Sequence, residues 1–192
     1  MGLIKTEFSS KLNAFEVYNL FKEEKDTILL DSSKEDERLS KYSFIGLNPF
    51  LIFELKNKKT YIDGNEIKGE PFKILENLIN EYKNDLQDDI PLLSGAMGYI
   101  TYDSGRILEE LPDISEEDFN IPDMKFIFYK NIIIFDLIND KKYITDLDGN
   151  NEKIHKILKK IDNGHKINDE IVFDNYHKAC KFFNKPLGYD FR

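Results

Sequence analysis

A chain of 192 residues with 41% apolar content can bury one sizeable core, and its 36 acidic against 27 basic residues give a formal net charge of −9, which argues against a nucleic-acid footprint, since neutralising phosphates takes clustered Lys and Arg. The one cysteine, Cys180, has no partner for an intramolecular disulfide and fits a reducing compartment. MGLIKTEFSS lacks the apolar stretch of a signal peptide, and the longest apolar run, 126–138, is short and interrupted by Lys130 and Asp136, so a soluble cytoplasmic protein with no membrane partner is expected.

In chain order, SSKLNAFEVYNLFKEEK carries Phe15, Val17, Tyr18, Leu20 and Phe21 at helical spacing behind Ser residues that could cap a helix. DTILLDSS reads as a short strand ending in turn-forming Asp and Ser. The stretch YSFIGLNPFLIFELKNKKTYIDGNEI reads as a meander, with turns at Asn48-Pro49, Asn57-Lys58-Lys59 and Asp63-Gly64. Pro71 opens a second helix with a stripe of Phe72, Leu75, Leu78, Ile79 and Tyr82. LSGAMGYITYDSGR follows as a glycine-bearing strand, and RILEELPDI as a helical turn stopped by Pro112. MKFIFYKNIIIFDLINDKKYITDLDGN predicts a strand pair turning at Asn139-Asp140 and ending at Asp148-Gly149-Asn150. EKIHKILKKID then puts Ile154, Ile157, Leu158 and Ile161 on one helical face and solvated lysines on the other.

Hairpins dominate and no strand-glycine-helix phosphate loop appears, so the expected class is α+β with antiparallel sheets and flanking helices. The organisation expected is a single region over 1–192 with its core in 10–163 and a tail at 164–192.

Several constellations have bland explanations. Gly95, Gly98 and Gly105 lack the spacing of a dinucleotide fingerprint, and glycine in a strand instead permits a bulge or close backbone approach. On that reading Tyr99 and Tyr102 point to opposite faces. The glycine of DLDGNNE falls too early for a calcium loop, which leaves a turn. His155, His165 and His177 are scattered, Cys180 has no catalytic signature, and the pairs Glu109-Glu110 and Glu116-Glu117 are neighbours that face apart on a helix, so no catalytic machinery is visible. LLDSS at 29–33 and KYSFIG at 41–46 read either as an ordinary strand-turn-strand or as hydroxyl-rich strand ends that bind a small polar group.

Taken together, LLDSS, KYSFIGLNP, LSGAMGYITYDSGRILEELP and IPDMKFIFYKNIIIFDLINDKKYI resemble, in that order, motifs of the N-terminal region of chorismate-utilising enzymes, anthranilate synthase component I and aminodeoxychorismate synthase component I. The third stretch is the most specific, through Gly95, Ala96, Gly98, Tyr99, Tyr102, Asp103, Arg106, Glu110, Leu111 and Pro112, and the likeness covers about residues 10–147. Three positions depart from the family pattern: Ser94 stands for a glycine, Asp31 for a glutamate and Lys41 for an arginine, which keeps charge but loses the bidentate fork. Gly105 before Arg106 looks more like aminodeoxychorismate synthase.

The resemblance implies a four-layer α/β/β/α orthogonal sandwich, of which this region supplies one part. It implies that the chorismate and Mg2+ sites lie in a C-terminal part whose signatures are missing here, so no cofactor and no catalytic residue is expected in this chain, which alone should be inactive. It further implies a tryptophan-type pocket at Asp31, Ser32, Lys41 and Ser43, and, as partners, a glutamine amidotransferase subunit and the chorismate-binding part. Arg106 is expected to anchor the turn after the glycine strand to a carboxylate. A stand-alone module that self-associates through an exposed sheet face is the competing reading, with the aromatic tail from Tyr176 to Phe191 as another cover for that face.

Overall fold

The computed structural model describes residues 2–32, 40–83, 86–107 and 121–164. Eight antiparallel strands, β1 (Ile4–Phe8), β2 (Ile28–Leu30), β3 (Tyr42–Lys56), β4 (Lys59–Ile62), β5 (Asn65–Ile67), β6 (Gly95–Ile100), β7 (Met124–Asp136) and β8 (Lys141–Asp146), form one sheet. Three helices accompany it, α1 (Ala14–Phe21), α2 (Pro71–Tyr82) and α3 (Asn151–Asp162). The sheet is built on β3 and β7, paired from Tyr42↔Asp136 to Leu55↔Met124. The other edge of β3 takes β2 near its start and β4 near its end, and the other edge of β7 takes β6 and then β8, with β1 outside β8. The α+β antiparallel class is as the sequence predicts; a second sheet is not among the described residues.

Alternation along β3 explains the layers. Ile45, Leu47, Phe53 and Leu55 are buried beneath helices, whereas Phe44 and Ile52 face the other way. At one end Val17 and Phe21 of α1 and Ile154, Ile157 and Ile161 of α3 pack on Ile45, Leu47, Ile133 and Ile144. At the other, Leu75 and Leu78 of α2 pack on Phe53, Leu55, Met124 and Phe128. Each such buried aliphatic contributes about 2 kcal/mol of transfer free energy. The face opposite the helices gathers Met97, Ile127, Tyr129, Ile132 and Ile134, with Ile90 and Leu93 laid over them.

Local chemistry corrects several expectations. The cap of α1 is Asn13, not a serine: its side chain accepts the Glu16 N–H and Glu16 returns a bond to the Asn13 N–H, both at 2.8 Å. Phe15 and Ile79 leave the predicted stripes and are exposed, because each lies beyond the arc that meets the sheet. Asn48-Pro49 is not a turn. Asn48 takes φ +54° and its amide donates to Asn131 Oδ1 at 2.8 Å, so the chain passes a bulge between Pro49 and Leu51 and remains one strand. The turns at 57–59, 63–64 and 139–140 and the proline start of α2 are where the sequence places them, with Glu70 as the cap of α2.

Asn131 and Asp146, both fully buried, form the polar heart of the sheet. The Asn131 amide donates to Asp146 Oδ2 at 2.8 Å and to the Thr145 carbonyl at 3.1 Å, while Asp146 Oδ1 accepts the N–H groups of Asp148 and Asn150. DLDGNNE is accordingly a turn, whose carboxylate is spent on backbone amides and which delivers Asn150 as the cap of α3. The helical turn at RILEELPDI falls mostly, from Leu108 onward, outside the described residues, as does the tail beyond Gly164 with Cys180 and the aromatic positions from Tyr176 to Phe191.

Candidate functional site at the start of the long strand

Where β2 runs out beside β3, continuing the antiparallel register sets Asp31 opposite Ser43 and Ser32 opposite Tyr42. Ser43 is fully buried, and its hydroxyl donates to Asp31 Oδ1 at 2.8 Å while accepting the Ser32 N–H at 3.1 Å. The Ser32 hydroxyl donates to the Tyr42 carbonyl at 2.7 Å. Three of the four sequence-predicted residues, Asp31, Ser32 and Ser43, are thus one clasp. Ser43 holds both the carboxylate and the amide, and Asp31, itself exposed, keeps its second oxygen outside these bonds. Lys41 is exposed just before β3; its carbonyl accepts the Leu137 N–H at 2.9 Å, and its ammonium takes no part in the clasp.

The glycine stretch has a structural role. A Cβ on Gly98 would sit 1.9 Å from the Lys125 carbonyl oxygen, so only glycine lets β6 lie against β7 there. Gly95 takes φ +124°. Ser94, the departure from glycine, donates to the Tyr82 carbonyl at the end of α2. Tyr102 does not continue the strand: it begins a 3-10 turn over Tyr102–Ile107 and is 98% exposed, so the opposed-face expectation for Tyr99 and Tyr102 does not apply. That turn is stapled by Thr101 N–H and the buried Ser104 hydroxyl, both donating to the Asp123 carbonyl at 2.8 Å. The side chain of Arg106 and the Glu109-Glu110 and Glu116-Glu117 pairs lie outside the described residues.

Ser104 and Asn131 carry no sequence signal that singles them out, since isolated polar residues in apolar runs are common. The aromatic at 129 is likewise anonymous in sequence. In the fold, Tyr129 lies over Gly46 and donates to the Asp26 carbonyl at 2.6 Å, and burial pushes its hydroxyl pKa well above the ordinary tyrosine value. Among the described residues no three His, Cys, Asp or Glu side chains form a group that could hold a metal ion, and no helix is long and apolar enough to cross a membrane. His155 is exposed on α3, while His165 and His177 lie outside the described residues.

The antiparallel sheet with its three helices has the fold of part of a solved anthranilate synthase component I. Its homologues are anthranilate synthase component I and aminodeoxychorismate synthase component I. Anthranilate synthase component 1 of Acetivibrio thermocellus is 30% identical over 183 residues, 91% of this chain and 36% of that protein. Aminodeoxychorismate synthase component 1 of Escherichia coli K12 is 28% identical over 57% of this chain and 25% of its own length. That of Bacillus subtilis 168 is 27% identical over 75% and 31%. The crystal structure of anthranilate synthase component I from Streptococcus pneumoniae TIGR4 shares the fold, with a TM-score of 0.52 over 94% of this chain and 38% of that one, at 18% identity. No protein-family model matches. The chain spans about a third or less of the length of these curated relatives.

Proposed function

We propose that this chain is the non-catalytic N-terminal region of aminodeoxychorismate synthase component I and contributes one wall of a tryptophan-type pocket. The observation that carries the reading is the Asp31–Ser43–Ser32 clasp. The second oxygen of Asp31 suits an amino acid's ammonium, and the exposed Lys41 ammonium, one residue before Tyr42, suits its carboxylate. In the complete synthase, chorismate is aminated with ammonia from a glutamine amidotransferase partner. Chorismate and Mg2+ are held by the part that this chain does not span, and here the chain's own residues orient and shield rather than react. Gly105-Arg106 favours the aminodeoxychorismate branch. The second reading, the same region of anthranilate synthase component I, is favoured by the Acetivibrio thermocellus relative, which aligns over most of the chain.

Calorimetric titration with tryptophan tests the pocket. Weak binding that Ser32→Ala and Asp31→Asn abolish is expected; tight binding indifferent to both would overturn the placement. Incubation of this chain alone with chorismate, Mg2+ and ammonia should yield no product, and turnover would refute the non-catalytic role. Co-expression with the chorismate-binding remainder of each kind of component I then separates the branches: on the first reading the chain restores aminodeoxychorismate formation to the aminodeoxychorismate synthase remainder and not anthranilate formation to the other, and on the second reading the reverse.

A further inference from the structure

Residues 87–93 lie between α2 and β6, on the sheet face opposite the helices. Ile90 and Leu93 are buried in the cluster that holds Met97, Ile132 and Ile134, whereas residues 87–89 and 91 are exposed. Among the described residues, no backbone-to-backbone hydrogen bond holds 87–93. The attachment is made by side chains instead. Lys5, on the edge strand β1, forms an ion pair with Asp88, and its ammonium stands 4.7 Å from the Tyr143 ring centroid. Asp88 Oδ1 also accepts the Ile90 N–H at 3.0 Å, so a single carboxylate both shapes the segment and fastens it. Tyr42 packs against the same cluster.

We propose that residues 87–93 are a latched strap: the Lys5–Asp88 pair controls its local opening, and its release uncovers the apolar face around Tyr42 and Tyr143 while the sheet and helices stay folded. A segment held by ladder bonds opens only with its sheet. This one opens by parting one ion pair and lifting a few apolar side chains, which puts it among the low-stability units of a fold. Burial, and then the Asp136, Asp89 and Asp88 carboxylates, raise the Tyr42 hydroxyl pKa, so two carboxylates of the strap lie near enough to act on it.

Limited chymotrypsin proteolysis of the intact chain, with the cuts located by mass spectrometry, tests the latch, with Lys5→Met and Asp88→Asn as variants. Cleavage within 86–93 should accelerate about fivefold to tenfold in either variant, from loss of the ion pair and its ring contact. The double variant should be cut no faster than the singles, and cleavage within β7 and α3 should keep its wild-type rate. Lys5→Arg should behave as wild type. Unchanged cleavage within 86–93, or an acceleration shared by β7 and α3, would overturn the proposal.

Discussion

Replacing Gly98 by alanine puts a methyl group 1.9 Å from the Lys125 carbonyl oxygen and 2.8 Å from Phe126 Cα, and both neighbours are backbone. Ordinary carbon contacts need roughly 3.5 Å, so β6 must retreat from β7 by more than 1 Å, too far to retain normal hydrogen-bond lengths. The paired stretch from Met97↔Ile127 to Ile100↔Met124 would lose its ladder. Two or three bonds at about 1 kcal/mol each, with partial exposure of the buried Met97, give a destabilisation of about 3–4 kcal/mol. Gly95→Ala meets only an ordinary contact with Leu92 at 3.7 Å but must adopt φ +124°, a strain of about 1–2 kcal/mol. Gly105→Ala meets nothing within 4 Å and should lie within about 0.5 kcal/mol of wild type. Urea unfolding followed by circular dichroism gives the three values. A Gly98→Ala protein within 1 kcal/mol of wild type, or a Gly105→Ala protein as unstable as Gly98→Ala, would refute the close-approach explanation.

Asn131→Leu strands a buried carboxylate oxygen on Asp146 and breaks the Asn48 link across the bulge, so a loss of about 3 kcal/mol is expected in the same denaturation experiment. Tyr129 has a folded-state pKa raised above its unfolded value near 10, so the stability it gives is complete below that pH. As the pH climbs past 10, the unfolded chain ionises first and the unfolding free energy falls; Tyr129→Phe should flatten the slope, measured by urea titration at several alkaline pH values. Ser43→Ala leaves the Ser32 N–H and Asp31 without their shared partner at a fully buried position, and a cost of about 1–2 kcal/mol is expected by thermal unfolding. Gly46→Ala drives a methyl to 2.6 Å from the Tyr129 ring, and because a side chain is the obstacle, the double variant Gly46→Ala/Tyr129→Leu should be more stable than Gly46→Ala alone.

How far the sequence foretold this fold depends on the range of the interaction concerned. Pro71, the 139–140 turn and the apolar stripe of α3 are set by neighbours a few residues away, and they were readable. Asn48-Pro49 reads as a turn in sequence because the cause of its bulge, the Asn131 Oδ1 that accepts the Asn48 amide, lies across the sheet and 83 positions along the chain. Gly98 announced close approach without naming Lys125 as the backbone approached. At the clasp, the hydroxyl-rich ends of two strands suggested a polar site, but only the pairing of β2 with β3 makes Ser43 the shared partner of Asp31 and Ser32. Lys41 matched a motif position, yet its charge stands apart from the hydrogen bonds that join the other three.

The partnership of β3 with β7 also governs when this sheet can come into being. Its two halves, 42–55 and 124–136, are separated by nearly seventy residues, and β1 must wait for β8. During synthesis, a nascent polypeptide that has emerged only to Ile100 can make β2 with β3 and the β3–β4–β5 meander, but its would-be central strand has one edge bare. That interval ends when the second long strand clears the ribosome, and until then the bare edge is open to pairing with other chains.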